Sequence, residues 1–174
     1  MSRTWNRLVA RAYARFPFLR RWAARRLPGD SVAKLPWAAP VGARNVVPLR
    51  RATIALVTLA GVHLKTQPPF DMQNPDGDAS FRVIPELADS GDLTITHDYY
   101  DHTAADRDVN VIFPIARLRE LAAAGWIGRA APRQIGAMGH ILGAETRRLV
   151  AETAPAIARL LREDGVDYVV LVPG

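Results

Sequence analysis

Two short apolar runs constrain the fold of this chain more than any other feature: residues 53–60 (TIALVTLA) and residues 166–172 (VDYVVLV). Both are rich in β-branched residues, sit next to Gly or Pro, and are shorter than the ~11 residues of an average helix. Neither alternates apolar with polar side chains. Each therefore reads as a strand buried on both faces, the pattern of a parallel sheet covered by helices. Residues 81–84, ahead of Pro85, and residues 135–138 fit two shorter strands. Residues 93–99 (LTITHDY) alternate well enough for a second main strand.

Helical spacing fills the intervals. Pro114 opens a helix to about residue 124, with Ile115, Leu118, Leu121 and Ala122 inward and Gly125 as its stop. A second helix over residues 144–164 carries Leu149, Val150, Ile157, Leu160 and Leu161 and ends at Gly165. Thr153 and Pro155 also fit a fresh helix start within it. Residues 65–80, with Pro68, Pro69, Pro75 and Gly77, read as loop. Strands alternating with helices predict an α/β fold, a layered sandwich around a mostly parallel sheet. At Gly174 the strand over 166–172 meets the point where a turn into the next helix belongs. The sandwich is accordingly expected to be incomplete at its C-terminus, with that strand poorly covered.

Charge is segregated. Arg3, Arg7, Arg11, Arg15, Arg20, Arg21, Arg25 and Arg26 lie in residues 1–29 with no acid, while the other 15 of the 23 basic residues share residues 30–174 with all 17 acids. The sequence pI near 10.4 thus belongs to the first segment and argues against a nucleic-acid-binding surface on the body. Residues 2–27 read as a basic amphipathic helix or helix pair with Trp5, Leu8, Ala12, Phe16, Leu19 and Trp22 near the helical period, interrupted at Pro17. The expected arrangement packs this stripe on the body and solvates the arginines; the alternative is docking on anionic lipid or on an acidic partner subunit. Pro28, Gly29, Pro36, Pro40, Gly42 and Pro48 mark a linker. The expected division is a basic helical extension at 1–29, a Pro/Gly-rich linker at 30–52 and an α/β domain at 53–174.

The chain has no cysteine, which excludes disulfides, thiolate metal sites and thiol catalysis within these residues. No apolar run approaches the ~20 residues of a membrane helix, and arginines continue through the region where a secretory signal is purely apolar, so the cytoplasm is expected.

Polar residues after the expected strands are the site candidates. His63 follows the first strand, and His97 with Asp98 ends the strand over 93–99. A histidine there can orient a substrate carboxylate or move a proton, or it can simply be held by loop backbone. Arg82, within SFRVIP, suits bidentate capture of a carboxylate, or equally a bond to Asp76 or Asp78 that pins the long loop. Asp108 and Asn110, just before Pro114, read as loop-bracing or helix-capping residues. His140 is left without a role. His97, Asp98, Asp101, His102, Asp106 and Asp108 resemble a metal cluster in composition, but their spacing matches no metal motif and no metal is expected.

Three stretches carry a family resemblance: GVHLKTQPPFDM at 61–72 with GDASFRVIP at 77–85, ITHDYYDHTAADRDVNVIFPIARLRELAAAGWIG at 95–128, and ETAPAIARLLREDGVDYVVLVPG at 152–174. In length, order and spacing they resemble the selenoprotein B family of glycine, sarcosine, betaine and D-proline reductases. The resemblance implies a selenocysteine or cysteine directly after Gly174 and a second cysteine a few residues on, at a helix start. A helix N-terminus there stabilises a selenolate or thiolate. It also implies that a UGA codon read as selenocysteine follows Gly174, so that no catalytic residue lies within 1–174.

The implied reaction is reductive cleavage of a C–N bond by nucleophilic catalysis. The amino group is activated by another subunit through a pyruvoyl carbonyl, and a thiol or a further subunit resolves the selenoether. His63, Arg82, His97 and Asp98 are the expected substrate-binding residues, and the expected partners are the other reductase subunits and a thiol reductant. The first alternative is a catalytically inactive binding or regulatory paralogue with the same fold. The second is a metal-dependent hydrolase using the loop over 97–108.

Overall fold

A computed structural model describes residues 3–16 and 47–174. The chain divides into two compact units, Met1–Arg44 with Asp98–Asp101, and Asn45–His97 with His102–Gly174.

In the second unit every residue of β1 (Thr53–Thr58) is buried. The reason is its central place. Ile54 pairs in parallel with Ala130 of β5 (Arg129–Ala130) on one side and with Tyr168 of β7 (Tyr168–Val172) on the other. Further along, Val57 pairs with Ile135 of β6 (Arg133–Gly136) and with Leu171 of β7. β5 and β6 thus follow one another along the same flank of β1. β3 (Arg82–Pro85) closes the far side, antiparallel to β6. The mostly parallel sheet is the one its strand composition implies.

Two expectations need correction. Residues 93–99 do not form a second main strand. Only Leu93–Ile95 is extended (β4), and it pairs antiparallel with β2 (Val62–Leu64) in a separate two-stranded sheet. Thr96 then gives its N–H to Gly61 O at 2.9 Å, and the chain leaves the ladder before His97. The strand over 166–172 is not buried on both faces either: Val169, Val170 and Leu171 are 40, 42 and 70% exposed. Among the described residues β7 pairs only with β1, and composition identifies a strand without saying whether anything covers it.

The break between β5 and β6 at Ala131 and Pro132 interrupts pairing opposite Leu56. Gln134, fully buried, turns its side chain into the gap: Oε1 accepts the Leu56 N–H at 2.6 Å and Nε2 donates to Ala131 O at 2.6 Å. A side-chain amide there substitutes for the missing ladder bonds.

α2 (Ile115–Ala123) begins after Pro114, and Asn110 Oδ1 accepts the Ala116 N–H at 3.1 Å. It ends at Gly125, φ +71°, with Gly125 N–H on Ala122 O and Trp126 N–H on Leu121 O, the paired bonds of a Schellman cap. Ile115 and Leu118 are buried as their spacing requires, but Leu121 is exposed. α3 (Gly143–Arg148) runs through a widened turn over Leu149–Thr153 into α4 (Ala154–Glu163). Pro155 has no N–H to offer the preceding turn, so the helix loosens there without breaking. Thr153 Oγ1 bonds Ala79 O at 2.7 Å across this point. Leu161 and Ile157 of α4 cover the sheet at Ala55, Val57, Ala131 and Ile135. Arg133 clasps Asp164 with Nε at 2.9 Å from Oδ2 and Nη2 at 2.7 Å from Oδ1, locking β6 to the end of α4. The hydrogen bonds that Arg133 donates to Asp164 raise its pKa.

In the first unit, α1 (Arg3–Arg15) is helical as its periodicity requires. Trp5 and Leu8 on its apolar stripe are each 54% exposed and Phe16 is 46% exposed. The rest of the expected helix, residues 17–27, and the linker up to residue 46 lie outside the described residues. From Val47 the chain is part of the second unit: Tyr168 Oη donates to Val47 O at 2.8 Å, and Ala52 is fully buried.

Candidate functional site

The parallel strands β1, β6 and β7 end together, and their C-terminal edge is where an open α/β sheet exposes backbone for a ligand. Leu59 N–H donates to Val172 O at 2.9 Å and Gly61 N–H to Ala137 O at 2.8 Å, so the three strand ends stay joined beyond the regular ladders. Glycines pave this edge. A β-carbon at Gly61 (φ +74°) would lie 2.5 Å from Thr96 O and 3.0 Å from His97 Cβ. One at Gly139 would lie 3.1 Å from Leu59 O and 3.9 Å from His97 Nε2, and one at Gly174 3.0 Å from the same Leu59 O and 2.7 Å from Ala60 Cα. The His97 imidazole, 4% exposed, is thus set beside Gly139, and the end of β7 reaches the neighbouring backbone at Leu59 and Ala60. An imidazole in such a place can hold or pass a proton to a group at the strand ends.

The other candidates are placed differently. His63 lies in β2, not in a loop, and is buried. Its Nδ1 is 2.7 Å from Leu64 O and its Nε2 2.8 Å from Thr96 Oγ1, with the ring edge-on to Phe70. Both nitrogens are engaged by protein, and the ring ties β2 to the chain leaving β4. Arg82 pairs in register with Gly136, near the same sheet edge. Its guanidinium turns onto the long loop: Nε donates to Pro68 O at 2.8 Å, Nη1 to Ser80 Oγ at 2.8 Å and Nη2 to Pro69 O at 3.1 Å. It also lies 4.4 Å over the Phe70 ring and 3.8 Å from Asp78 Oδ2. Asp98 belongs to the first unit, where its buried carboxylate accepts Arg7 Nε at 2.8 Å.

Asp108 Oδ1 accepts Asn110 N–H at 3.0 Å and Asn110 Nδ2 at 2.8 Å, while Asn110 Oδ1 caps α2. The Asn110 hydrogen bonds hold Asp108 below the usual carboxylate pKa. For Asp78, burial pushes the pKa up, but the bonds from Ser80 Oγ, Asp71 N–H and Ser80 N–H, with the Arg82 charge, outweigh it and hold the carboxyl low. His140 Nε2 is 3.1 Å from Pro75 O and His102 Nδ1 2.8 Å from Asp106 Oδ1. Among the described residues no group of three or more His, Asp or Glu side chains is arranged to hold a metal ion.

Two features have no local sequence signal. Gln134 is an ordinary polar residue until the gap opposite Leu56 is seen. A hollow of about 470 Å³ opens between β4 and residues 105–109, bordered by Lys65, Thr94, Arg107 and Asp108. Its walls come from segments distant in sequence.

A family model described as glycine/sarcosine/betaine reductase selenoprotein B matches residues 32–173. The D-proline reductase subunit gamma of Acetoanaerobium sticklandii is 44% identical over 126 residues, 72% of this chain and 50% of that protein. The glycine reductase complex component B subunit gamma of Carboxydothermus hydrogenoformans is 32% identical over 126 residues, 71% of this chain and 28% of that protein. The chain thus spans half or less of the length of these curated relatives. No solved structure matches it. Among the described residues no helix is long and apolar enough to cross a membrane.

Proposed function

The chain belongs to the glycine/sarcosine/betaine reductase selenoprotein B family, and from that membership we propose that it is part of an oxidoreductase subunit that reductively cleaves the C–N bond of an amino acid or its N-methyl derivative. The nucleophile in this reading is a selenocysteine, or a cysteine, directly after Gly174. Such a group supplies a low-pKa nucleophile at neutral pH. The observation that carries the reading is the meeting of the end of β7 with Leu59 and Ala60, next to Gly139 and the His97 imidazole.

His97 holds the substrate carboxylate or supplies the proton that the departing nitrogen needs. In net terms the C–N bond is replaced by a C–H and an N–H bond, and a dithiol supplies two electrons and ends as a disulfide. The partners are the other reductase subunits, one contributing the pyruvoyl carbonyl that activates the amino group, and a thiol reductant. The compartment is the cytoplasm. Residues 1–174 alone are inactive in this reading because they contain no such nucleophile.

Reading the gene past the Gly174 codon tests this first. A UGA followed in frame by a nearby cysteine and a helix-forming stretch supports the enzyme, and the longer chain, made with selenium and assayed with its partner subunits, then turns over. A different stop codon with no open frame beyond it makes the chain a catalytically inactive binding or regulatory paralogue instead.

A further inference from the structure

The hollow between β4 and residues 105–109 carries chemistry that the strand-end site does not use. Lys65 N–H donates to Asp92 O at 2.8 Å and Thr96 N–H to Gly61 O at 2.9 Å, so residues 92, 94 and 96 turn their backbone groups towards β2. In an antiparallel pair the alternate residues then point the other way. Leu93 and Ile95 thus present theirs on the opposite edge, beside the hollow that both residues line. The Leu93 N–H is taken by Ser90 O. The Ile95 N–H and the Leu93 and Ile95 carbonyls remain on an edge with which no strand pairs among the described residues.

The charges around this edge are balanced but not matched to one another. Lys65 Nζ donates to Gly91 O, which leaves two of its three donors, and Arg107 makes no side-chain hydrogen bond or ion pair among the described residues. Asp108 follows Arg107 in the chain without pairing with it: Oδ1 accepts the Asn110 N–H and Nδ2, and Oδ2 takes no hydrogen bond among the described residues. Asp106 is already joined to His102 Nδ1 at 2.8 Å. The lining therefore carries two cations and two carboxylates, together with the buried Leu93, Ala105 and Val109. A purely anionic ligand would face Asp106 and Asp108, and a purely cationic one Lys65 and Arg107. A molecule bearing both signs of charge meets neither repulsion, and about 470 Å³ is the size of a small-ligand cleft.

We infer that this hollow is a binding site for a small free amino acid with an apolar side chain. Lys65, Arg107 and the Ile95 N–H hold its carboxylate, Asp108 and the Leu93 carbonyl hold its ammonium group, and its side chain lies over Leu93, Ala105 and Val109. The site uses only residues 65–109 of the second unit, so it stands whether or not a nucleophile follows Gly174. It gives the chain a place to hold an amino acid apart from the strand ends.

Titration of the full chain with valine, followed in two-dimensional amide NMR spectra, is the test. Valine is expected to shift the Ile95 and Arg107 amides in a saturable way. Isovalerate lacks the ammonium group and isobutylamine lacks the carboxylate, and each is expected to bind about tenfold more weakly or worse, through the loss of one charge-assisted contact. Lys65→Gln with Arg107→Gln is expected to weaken valine binding by about tenfold or more. Both side chains are exposed, so the thermal transition stays where it is. The absence of a saturable shift up to the solubility limit of valine overturns the site and leaves the reductase reading untouched. Isovalerate binding as tightly as valine overturns the assignment by making the hollow a plain anion site. Equal binding of valine by the doubly substituted chain overturns it too, because the two cations then hold nothing.

Discussion

Gln134 closes a backbone gap at Leu56: its Oε1 accepts the Leu56 N–H at 2.6 Å where the step from β5 to β6 leaves that side of β1 without a ladder partner. The amide is fully buried and its Nε2 is committed to Ala131 O. Gln134→Leu keeps the volume but strands one donor and one acceptor in the core. With about 1–3 kcal/mol for each buried group left unsatisfied, the variant is expected to lose roughly 2–6 kcal/mol, read from urea unfolding. A loss below ~1 kcal/mol means that the gap closes by other means.

Glycine separates two kinds of constraint in this chain. Gly136 has no unusual φ, but a β-carbon there would run into Val62 O of β2. Gly125 has φ +71°, and a β-carbon there meets nothing within 4 Å. Gly125→Ala is therefore expected to cost only about 1 kcal/mol of left-handed strain. Gly136→Ala has to push two backbones apart and is expected to prevent stable folding. Thermal melts of the two variants side by side check the order, and equal effects refute it.

Asp78 makes stability depend on acidity. Its folded pKa lies below the reference 3.8, held there by Ser80, Asp71 and Arg82 against the opposing effect of burial. A lowered folded pKa stabilises the native state at pH values above the unfolded pKa, and that stabilisation is lost as pH falls through the folded value. Asp78→Asn is expected to unfold at a lower temperature than the parent at pH 7, with the difference shrinking below pH ~4. A difference that persists unchanged in acid shows that the carboxylate charge is not what holds this loop.

How far the sequence speaks depends on distance along the chain. β1 and the helix stops at Gly125 and Gly165 are legible because β-branched runs and left-handed glycines act within a few residues. The separate β2–β4 sheet is not, since the alternation in 93–99 reports that a strand pairs but never with what. The site shows the same divide. A histidine after an apolar run suggests chemistry, yet the fate of His63 is set by Thr96, 33 residues on, whose hydroxyl takes one ring nitrogen. Arg82 likewise is turned by Pro68 and Pro69 carbonyls that no local pattern announces.

β7 leaves Leu171 70% exposed beside Val169 and Val170 on an outer strand. An uncovered strand of this composition is a template for another edge. The 174-residue chain is expected to associate increasingly with concentration in light scattering, and Leu171→Lys to reduce that association severalfold without lowering the unfolding temperature. Indifference of the association to this substitution assigns it to another surface.

His97 is the residue on which the catalytic reading turns. It is buried, with its Cβ beside Gly61 and its Nε2 near Gly139, so the ring sits against the backbone of the strand ends. In the longer, partner-assembled enzyme of the proposed function, His97→Gln preserves approximate shape and polarity but cannot carry a proton. A proton-transfer role predicts a fall in kcat of about 10²–10⁴, with the limb of the pH–rate profile that reports the imidazole removed and KM little changed. A carboxylate-holding role predicts instead that KM rises while the pH dependence of kcat persists. If neither constant moves and the variant only melts earlier, the histidine is a packing residue, and the proton comes from elsewhere in the complex.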